Sequence, residues 1–297
     1  MDNTYKMAWI KSIVEICENN CKEKIHFDEI SLLIYKHYWN QTFFFNLNQG
    51  SNRNKKPKII QYVEDGIKQY KNKFNSSQPI SLVKHPLAYD LFVPFQKIST
   101  ILKQDVAWRF LELGKDKYDI YDLDLQNRII SVKKPLLIKE FADPINQIIN
   151  YRWSQKLEDL DGSPRIIKKI KGVDRDQTPK RKSLKPYRKF LDIENPNKIC
   201  FLTGEKIQDN DLSIDHVIPW SYMYSDDLWN LVYVSKSANS SKSNIMPDKE
   251  IIQKLIKRNK KLLKELIING YTGKSVDELQ LSIDKDFVVH HWTGFKN

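Results

Sequence analysis

Residues 199–205 read Ile-Cys-Phe-Leu-Thr-Gly-Glu, residues 213–218 read Ser-Ile-Asp-His-Val-Ile, and residues 239–242 read Asn-Ser-Ser-Lys. The first run predicts a strand or turn, because a Thr-Gly pair favours a change of chain direction. The second is a short, largely apolar run that ends before a proline, which predicts a strand. Residues 231–234 are apolar and predict a segment that packs inward, followed by a short helix through residue 242. Two strands and a helix would gather the polar side chains around one point.

The polar side chains of this region suit the hydrolysis of a phosphodiester bond. That reaction needs a base for the attacking water, positive charge for the developing oxyanion, and stabilisation of the leaving oxygen. His216 suits the base because a neutral imidazole titrates near working pH. Asp215 and Asn239 offer hard oxygen ligands for one divalent metal ion, for which Mg²⁺ is favoured and Mn²⁺ or another divalent ion is an alternative.

Two further residues complete the predicted catalytic group. Lys242 lies three residues after Asn239 and shares its helical face, so its ammonium can reach a substrate phosphate. Asn230 is predicted to brace the loop that orients His216 rather than to touch substrate. Each residue alone has a plainer interpretation, such as a hydrogen-bonded histidine at the edge of a core or an asparagine in a turn. Their combination in one short region favours a hydrolytic site.

The combined pattern resembles the HNH endonuclease family, whose members are also called ββα-metal nucleases. The similarity covers about 50 of the 297 residues, and it extends to the HNH domain of RNA-guided CRISPR nucleases and to free-standing restriction or defence enzymes. It implies that His216 is the general base, that Asp215 and Asn239 bind the metal, and that Asn230 is the middle asparagine of the motif. It also implies a DNA substrate. Many members carry paired zinc-binding cysteines, but Cys200 has no such pair here, so no structural zinc is expected.

The charge of the chain is unevenly distributed. There are 49 lysine and arginine residues against 37 acidic residues, a net charge of +12, which indicates a polyanionic partner. Much of the excess falls in residues 165–189, here called the basic stretch, which can be either a solvated linker or an arm that contacts nucleic acid. We favour the arm, because the stretch directly precedes the candidate site. Its predicted contacts, to which Lys242 is added, are Lys168, Lys169, Lys171, Arg175, Lys180, Arg181, Lys182, Lys185, Arg188 and Lys189.

The periodicity predicts an α+β fold with four parts. Residues 1–145 form a mostly helical recognition or partner domain with a β-hairpin near Tyr118–Val132, and residues 146–190 form a basic helical connector that contacts nucleic acid. Residues 191–247 form the ββα-metal (HNH) nuclease domain, and residues 248–297 form a C-terminal helical extension. The first extension helix is expected to carry an outward basic face of Lys254, Lys257, Arg258, Lys260, Lys261 and Lys264.

The sequence predicts a cytoplasmic protein with no membrane partner, because it shows no signal segment, no run of membrane-spanning length and only three cysteines. The favoured function is a metal-dependent DNA endonuclease of bacterial restriction or anti-phage defence, with a mobile-element endonuclease as runner-up. One site cuts one strand, so a double-strand break requires a homodimer or two successive events. Two alternatives stay open: a nuclease subunit gated through residues 1–145 by a signal or a co-encoded defence protein, and a nucleic-acid-binding protein with an inactive HNH fold. RNA stays open as a substrate.

Overall fold

The computed structural model describes residues 3–52, 55–74, 93–113, 116–161, 163–174, 179–242, 245 and 247–296. The chain divides into two compact units: unit 1 is Met1–Asp161 with Ile166–Pro179, and unit 2 is Gly162–Arg165 with Lys180–Asn297. Helices and small antiparallel sheets occur together, which is compatible with the predicted α+β class. The residues predicted as a connector, 146–190, are divided between the two units.

Unit 1 is mainly helical. Its helices are α1 Tyr5–Asn20, α2 Phe27–Phe45, α3 Lys58–Phe74, α4 Phe95–Ile101, α5 Ala107–Phe110, α6 Pro135–Glu140, α7 Ala142–Leu160 and α8 Ile166–Gly172, with a π-helical turn Leu102–Val106 between α4 and α5. Its strands are β1 Lys24–His26, β2 Glu112–Leu113, β3 Asp116–Lys117, β4 Tyr121–Asp124 and β5 Ile129–Val132. Strands β4 and β5 pair antiparallel, which confirms the predicted hairpin, and β1 adds to the outer side of β5.

Aromatic side chains form the centre of unit 1. Trp9, Trp39 and Trp153 are fully buried, and the Trp9 indole donates to the Tyr121 hydroxyl at 3.0 Å, which joins α1 to the hairpin. Helix α2 begins at a capping box in which the His26 side chain and a glutamate three residues later satisfy backbone amides of the first turn. Unit 1 therefore has a hydrophobic core of its own.

Unit 2 contains a strand pair followed by a helix. Its elements are a 3₁₀ turn Lys185–Tyr187, α9 Arg188–Glu194, a 3₁₀ turn Asp209–Asp211, β6 Leu212–His216, α10 Trp220–Met223, a 3₁₀ turn Leu228–Asn230, β7 Leu231–Ser235, α11 Lys236–Lys242, α12 Lys249–Ile268, α13 Lys274–Asp284 and α14 Phe287–Lys296. Strands β6 and β7 pair antiparallel over five residues, with Ile214 opposite Tyr233 at the centre. Helix α11 follows β7 directly, so the order is strand, strand, helix.

The C-terminal helices share the core of unit 2. Leu255, Leu262 and Leu266 of α12 belong to the same buried cluster as Val232 and Val234 of β7. The segment predicted as a C-terminal extension is thus packed into the same core as the strand pair. None of the described residues forms a helix that is both long and apolar enough to cross a membrane.

One residue of the predicted basic face on α12 lies elsewhere. Arg258 is 6 % exposed; its Nε donates to Glu194 Oε2 at 2.8 Å and its guanidinium donates to the Leu228 carbonyl. The prediction of an outward Arg258 is therefore wrong. Glu194 of α9 supplies a partner charge, which makes burial of the guanidinium tolerable.

Candidate functional site

The register of the strand pair positions two adjacent residues of the site. Asp215 lies opposite Val232 and His216 lies opposite Leu231, at the end of β6. Because successive side chains of a strand point to opposite faces of the sheet, the two side chains separate. The Asp215 carboxylate meets α11, whereas the His216 ring meets the loop that follows β6.

Asp215 is in contact with both predicted residues of α11. The Lys242 ammonium donates to Asp215 Oδ2 at 2.6 Å and also to the backbone carbonyl of His216. The Asn239 amide, in the orientation that satisfies both groups, donates to the Asp215 oxygens at 3.2 and 3.3 Å. The side chains of Lys242 and Asp215 are only 11 % and 18 % exposed, so water screens this ion pair weakly.

The spacing of the oxygen donors fits one hard cation. Rotation of the Asn239 carboxamide by 180° exchanges its oxygen and nitrogen. The oxygen then lies 3.2 Å from Asp215 Oδ1. Two cis ligands of an octahedral Mg²⁺, each about 2.1 Å from the ion, are about 3 Å apart. Two protein ligands are enough for Mg²⁺, because it usually keeps several waters and binds phosphate oxygens. Asp215 and Asn239 can therefore hold a divalent ion together, once Lys242 releases the carboxylate.

The main chain just after His216 and the ring of His216 are both held by hydrogen bonds. Asn230 is buried; its side chain accepts from the Ile218 amide at 2.8 Å and donates to the Ile218 carbonyl at 2.9 Å. Its backbone carbonyl also accepts from the Val217 amide. Asn230 thus fixes the two residues that follow His216. The His216 ring is 6 % exposed, and its Nε2 lies 3.0 Å from Asp226 Oδ1.

Asp226 contacts the His216 ring but was not among the residues predicted for the site. It lies ten residues after His216, in a polar loop that carries no periodic pattern. The only sequence signal was the pair of carboxylates Asp226 and Asp227 between an Asp-His dipeptide and the middle asparagine. Nothing local indicates which loop carboxylate meets the ring, because that depends on how the loop folds back.

Residues of the basic stretch contact this loop. Arg165 donates to the Met223 carbonyl at 3.2 Å and pairs with Asp227, and the Tyr187 hydroxyl donates to the Asp226 carbonyl. The Arg181 guanidinium lies 4.7 Å from the ring centre of Trp220. Burial raises the pKa of Tyr187, and the nearby Asp226 and Asp227 charges raise it further. Tyr187 is therefore a neutral donor that anchors the loop.

The predicted nucleic-acid contacts fall into two groups. The six that belong to unit 2 are all exposed: Lys180, Arg181, Lys182, Lys185, Arg188 and Lys189. In unit 1, Lys168 and Lys171 are exposed, but Lys169 is completely buried and cannot reach a phosphate in this conformation. Arg175 lies outside the described residues.

Cys200 is buried at the start of the motif region. Burial on its own would raise the pKa of its thiol, but hydrogen bonds from Thr203 and from neighbouring backbone amides bring the pKa below its usual value. Within the described part of the chain, no group of three or more histidine, cysteine, aspartate or glutamate side chains is arranged to hold a metal ion.

Residues 200–248 match the family model for HNH endonucleases. The matched segment contains all five residues predicted to be catalytic, together with Asp226. Comparisons of the chain with curated proteins and with solved structures gave no match.

Proposed function

Because residues 200–248 form an HNH endonuclease domain, we propose that this nuclease hydrolyses DNA phosphodiester bonds with one divalent metal ion, Mg²⁺ or Mn²⁺. The observation that carries the proposal is the meeting of Asp215, Asn239 and Lys242 at the end of β6, where the Lys242 ammonium also donates to the backbone carbonyl of His216. A base, two oxygen ligands and a mobile positive charge are what phosphodiester hydrolysis requires.

The residues divide the chemistry among them. His216 accepts the proton of the attacking water, while Asn230 keeps the strand end that carries His216 in place. A metal ion held by Asp215 and Asn239 would supply charge for the scissile phosphate and the leaving oxygen. Lys242 now pairs with Asp215, and we propose that its ammonium would turn to a neighbouring phosphate if Asp215 held a metal ion.

The exposed basic residues of unit 2 are the proposed phosphate contacts. They belong to the segment whose Arg181 and Tyr187 contact the loop next to His216, so this segment runs close to the site. Phosphate contacts of this kind supply affinity without sequence preference and make binding depend on salt. Lys169 is left out of the proposed contacts because it is buried.

The proposed setting is bacterial restriction or anti-phage defence in the cytoplasm. What supports it is the organisation of the chain: unit 1 has its own core and lies outside the HNH match, so it is available for recognition of DNA or of a co-encoded protein. Gating of the nuclease through unit 1 is the alternative that the same organisation favours.

Cleavage of supercoiled plasmid with Mg²⁺ or Mn²⁺ tests the proposed function. The wild type and the control His290→Ala, which removes an exposed histidine outside the HNH match, should both yield nicked or linear DNA. His216→Ala should yield none while it still binds DNA, because the base acts on the chemical step and little on affinity. EDTA should stop all cleavage.

The products also separate the alternatives. Cleavage by His216→Ala would refute the assignment of the base. Absence of cleavage by the wild type, with and without a co-encoded protein, would count against catalysis and favour an inactive binder. Linear product without a nicked intermediate would indicate that two sites act together, as in a homodimer.

A further inference from the structure

We propose that Asp226 is the positioning residue of His216: its carboxylate accepts a hydrogen bond from Nε2–H of the ring, so that the lone pair of Nδ1 is the one that accepts the proton of water. The inference rests on the proposed nuclease function and deepens it, because it assigns a role to a residue that the five-residue motif does not include. It begins from the 3.0 Å contact between His216 Nε2 and Asp226 Oδ1.

The contact selects one tautomer of the neutral ring. An ionised carboxylate only accepts hydrogen bonds, so the ring nitrogen that faces it carries the proton. Both partners are largely buried, at 6 % and 17 % exposure, which strengthens the preference relative to an exposed pair. With the proton on Nε2, the lone pair lies on Nδ1. Among the described residues none hydrogen-bonds to Nδ1, and the proposed role requires water to reach this atom.

The loop that carries Asp226 is itself anchored at several points. The Tyr187 hydroxyl donates to the Asp226 carbonyl, so the backbone of this residue is held directly. The next residue, Asp227, pairs with Arg165 and accepts from the Ser225 hydroxyl at 2.5 Å. A carboxylate can keep a histidine ring in one tautomer and one orientation only if the carboxylate is itself held in place.

Asp226 contacts the His216 ring, whereas Asn230 contacts the main chain just after His216. Asn230 bonds to the backbone of Ile218 and so fixes the main chain beyond His216, whereas Asp226 fixes the imidazole. Main-chain anchoring leaves the ring free to rotate about its side-chain bonds. The second contact removes that freedom, and the two together define where Nδ1 points.

Asp226 has a different role from Asp215. The Asp215 carboxylate faces Lys242 and Asn239, while Asp226 faces the histidine ring. Loss of Asp226 should therefore leave metal binding intact and change the chemical step. This difference separates a positioning residue from an additional metal ligand.

The experiment compares Asp226→Asn, Asp226→Ala and Asp226→Glu with the wild type. The charge-matched control is Asp209→Asn, which removes an exposed carboxylate of the same unit. Single-turnover cleavage of saturating plasmid is measured with Mn²⁺, DNA affinity by gel shift, metal affinity by calorimetry without DNA, and the His216 tautomer by ¹⁵N NMR of histidine-labelled protein, with His216→Ala to assign the signals.

The loss of the carboxylate should slow single-turnover cleavage by about 10²- to 10⁴-fold. The lower value is the loss seen when the hydrogen-bond partner of a metal-binding histidine is removed, and the upper value is the loss for the aspartate of serine protease triads. DNA and metal affinities should stay within about threefold of the wild type. In wild-type protein the His216 signal should show protonated Nε2 and unprotonated Nδ1, and in Asp226→Ala it should show mixed tautomers. Asp226→Glu should recover part of the rate, and Asp209→Asn should match the wild type.

Three results would overturn the inference. They are near-wild-type cleavage by Asp226→Asn and Asp226→Ala, an unchanged tautomer in Asp226→Ala, and a large loss of metal affinity in either variant. Failure of the proposed function is recognised separately, because the wild type and Asp209→Asn would then be inactive as well. If the alanine variant does not fold, Asp226→Asn, which keeps the shape of the side chain, still decides the rate comparison.

Discussion

Replacement of Lys242 by methionine should strengthen metal binding and weaken catalysis at the same time. In the structure the Lys242 ammonium is paired with Asp215 Oδ2 at 2.6 Å. A metal ion bound to that oxygen would have to displace the ammonium. Methionine keeps a long unbranched side chain but cannot compete for the carboxylate. The same change removes the charge proposed to meet a neighbouring phosphate, so cleavage should slow.

The size of the effect follows from the contact. A hydrogen bond between charged groups contributes about 1.5–3 kcal/mol, and the low exposure of both side chains excludes the weaker values typical of surface pairs. Each 1.4 kcal/mol changes a dissociation constant about tenfold. We therefore expect Lys242→Met to bind Mn²⁺ about 10- to 100-fold more tightly than the wild type in the absence of DNA.

Calorimetric titration of DNA-free protein with Mn²⁺ measures this directly. The matched control is Lys236→Met, on the same helix, whose exposed ammonium bonds to the Asn210 carbonyl and not to Asp215. The control should bind Mn²⁺ like the wild type. If Lys242→Met binds Mn²⁺ no more tightly than the control, the ammonium does not compete with the metal, and the exchange proposed for Lys242 is wrong.

Three further results are expected. Arg258→Met should lower the free energy of unfolding of unit 2 by about 3–5 kcal/mol in chemical denaturation, because it leaves the Glu194 carboxylate without its buried partner. Neutralisation of the exposed Lys180, Arg181 and Lys182 should weaken binding to all DNA sequences. It should also reduce the slope of log affinity against log salt by about 2–3, because each phosphate contact accounts for about 0.9 of that slope. In unit 1, burial would raise the pKa of Glu15, but the hydrogen bond and charge of His37 and the charge of Lys36 hold it well below its usual range. Since the folded pKa is depressed, the stabilisation is present above the unfolded value of about 4.3 and is lost as pH falls below it. Glu15→Gln should therefore make unit 1 less sensitive to acid between about pH 5 and pH 2 in thermal unfolding followed by tryptophan fluorescence.

The sequence predicted the parts of the site that short-range geometry controls. Asp215 and His216 are neighbours on one strand, and Asn239 and Lys242 are three residues apart on one helix. The periods of strands and helices fix such relations whatever the rest of the chain does. The hairpin of unit 1 was predictable for the same reason, because two alternating runs were joined by a short turn.

The tertiary structure decided the contacts between segments that are distant in sequence. Asp226 reaches the His216 ring only because its loop folds back, and Arg258 is buried only because Glu194 of another helix meets it. Lys169 looked like its exposed neighbours in sequence, yet it lies in the core of unit 1. Local periodicity thus determined which residues form the strand, the helix and the motif. Packing alone determined which charges find partners. The energy of a buried charge depends on the groups that the fold brings close to it, and these groups are distant along the sequence.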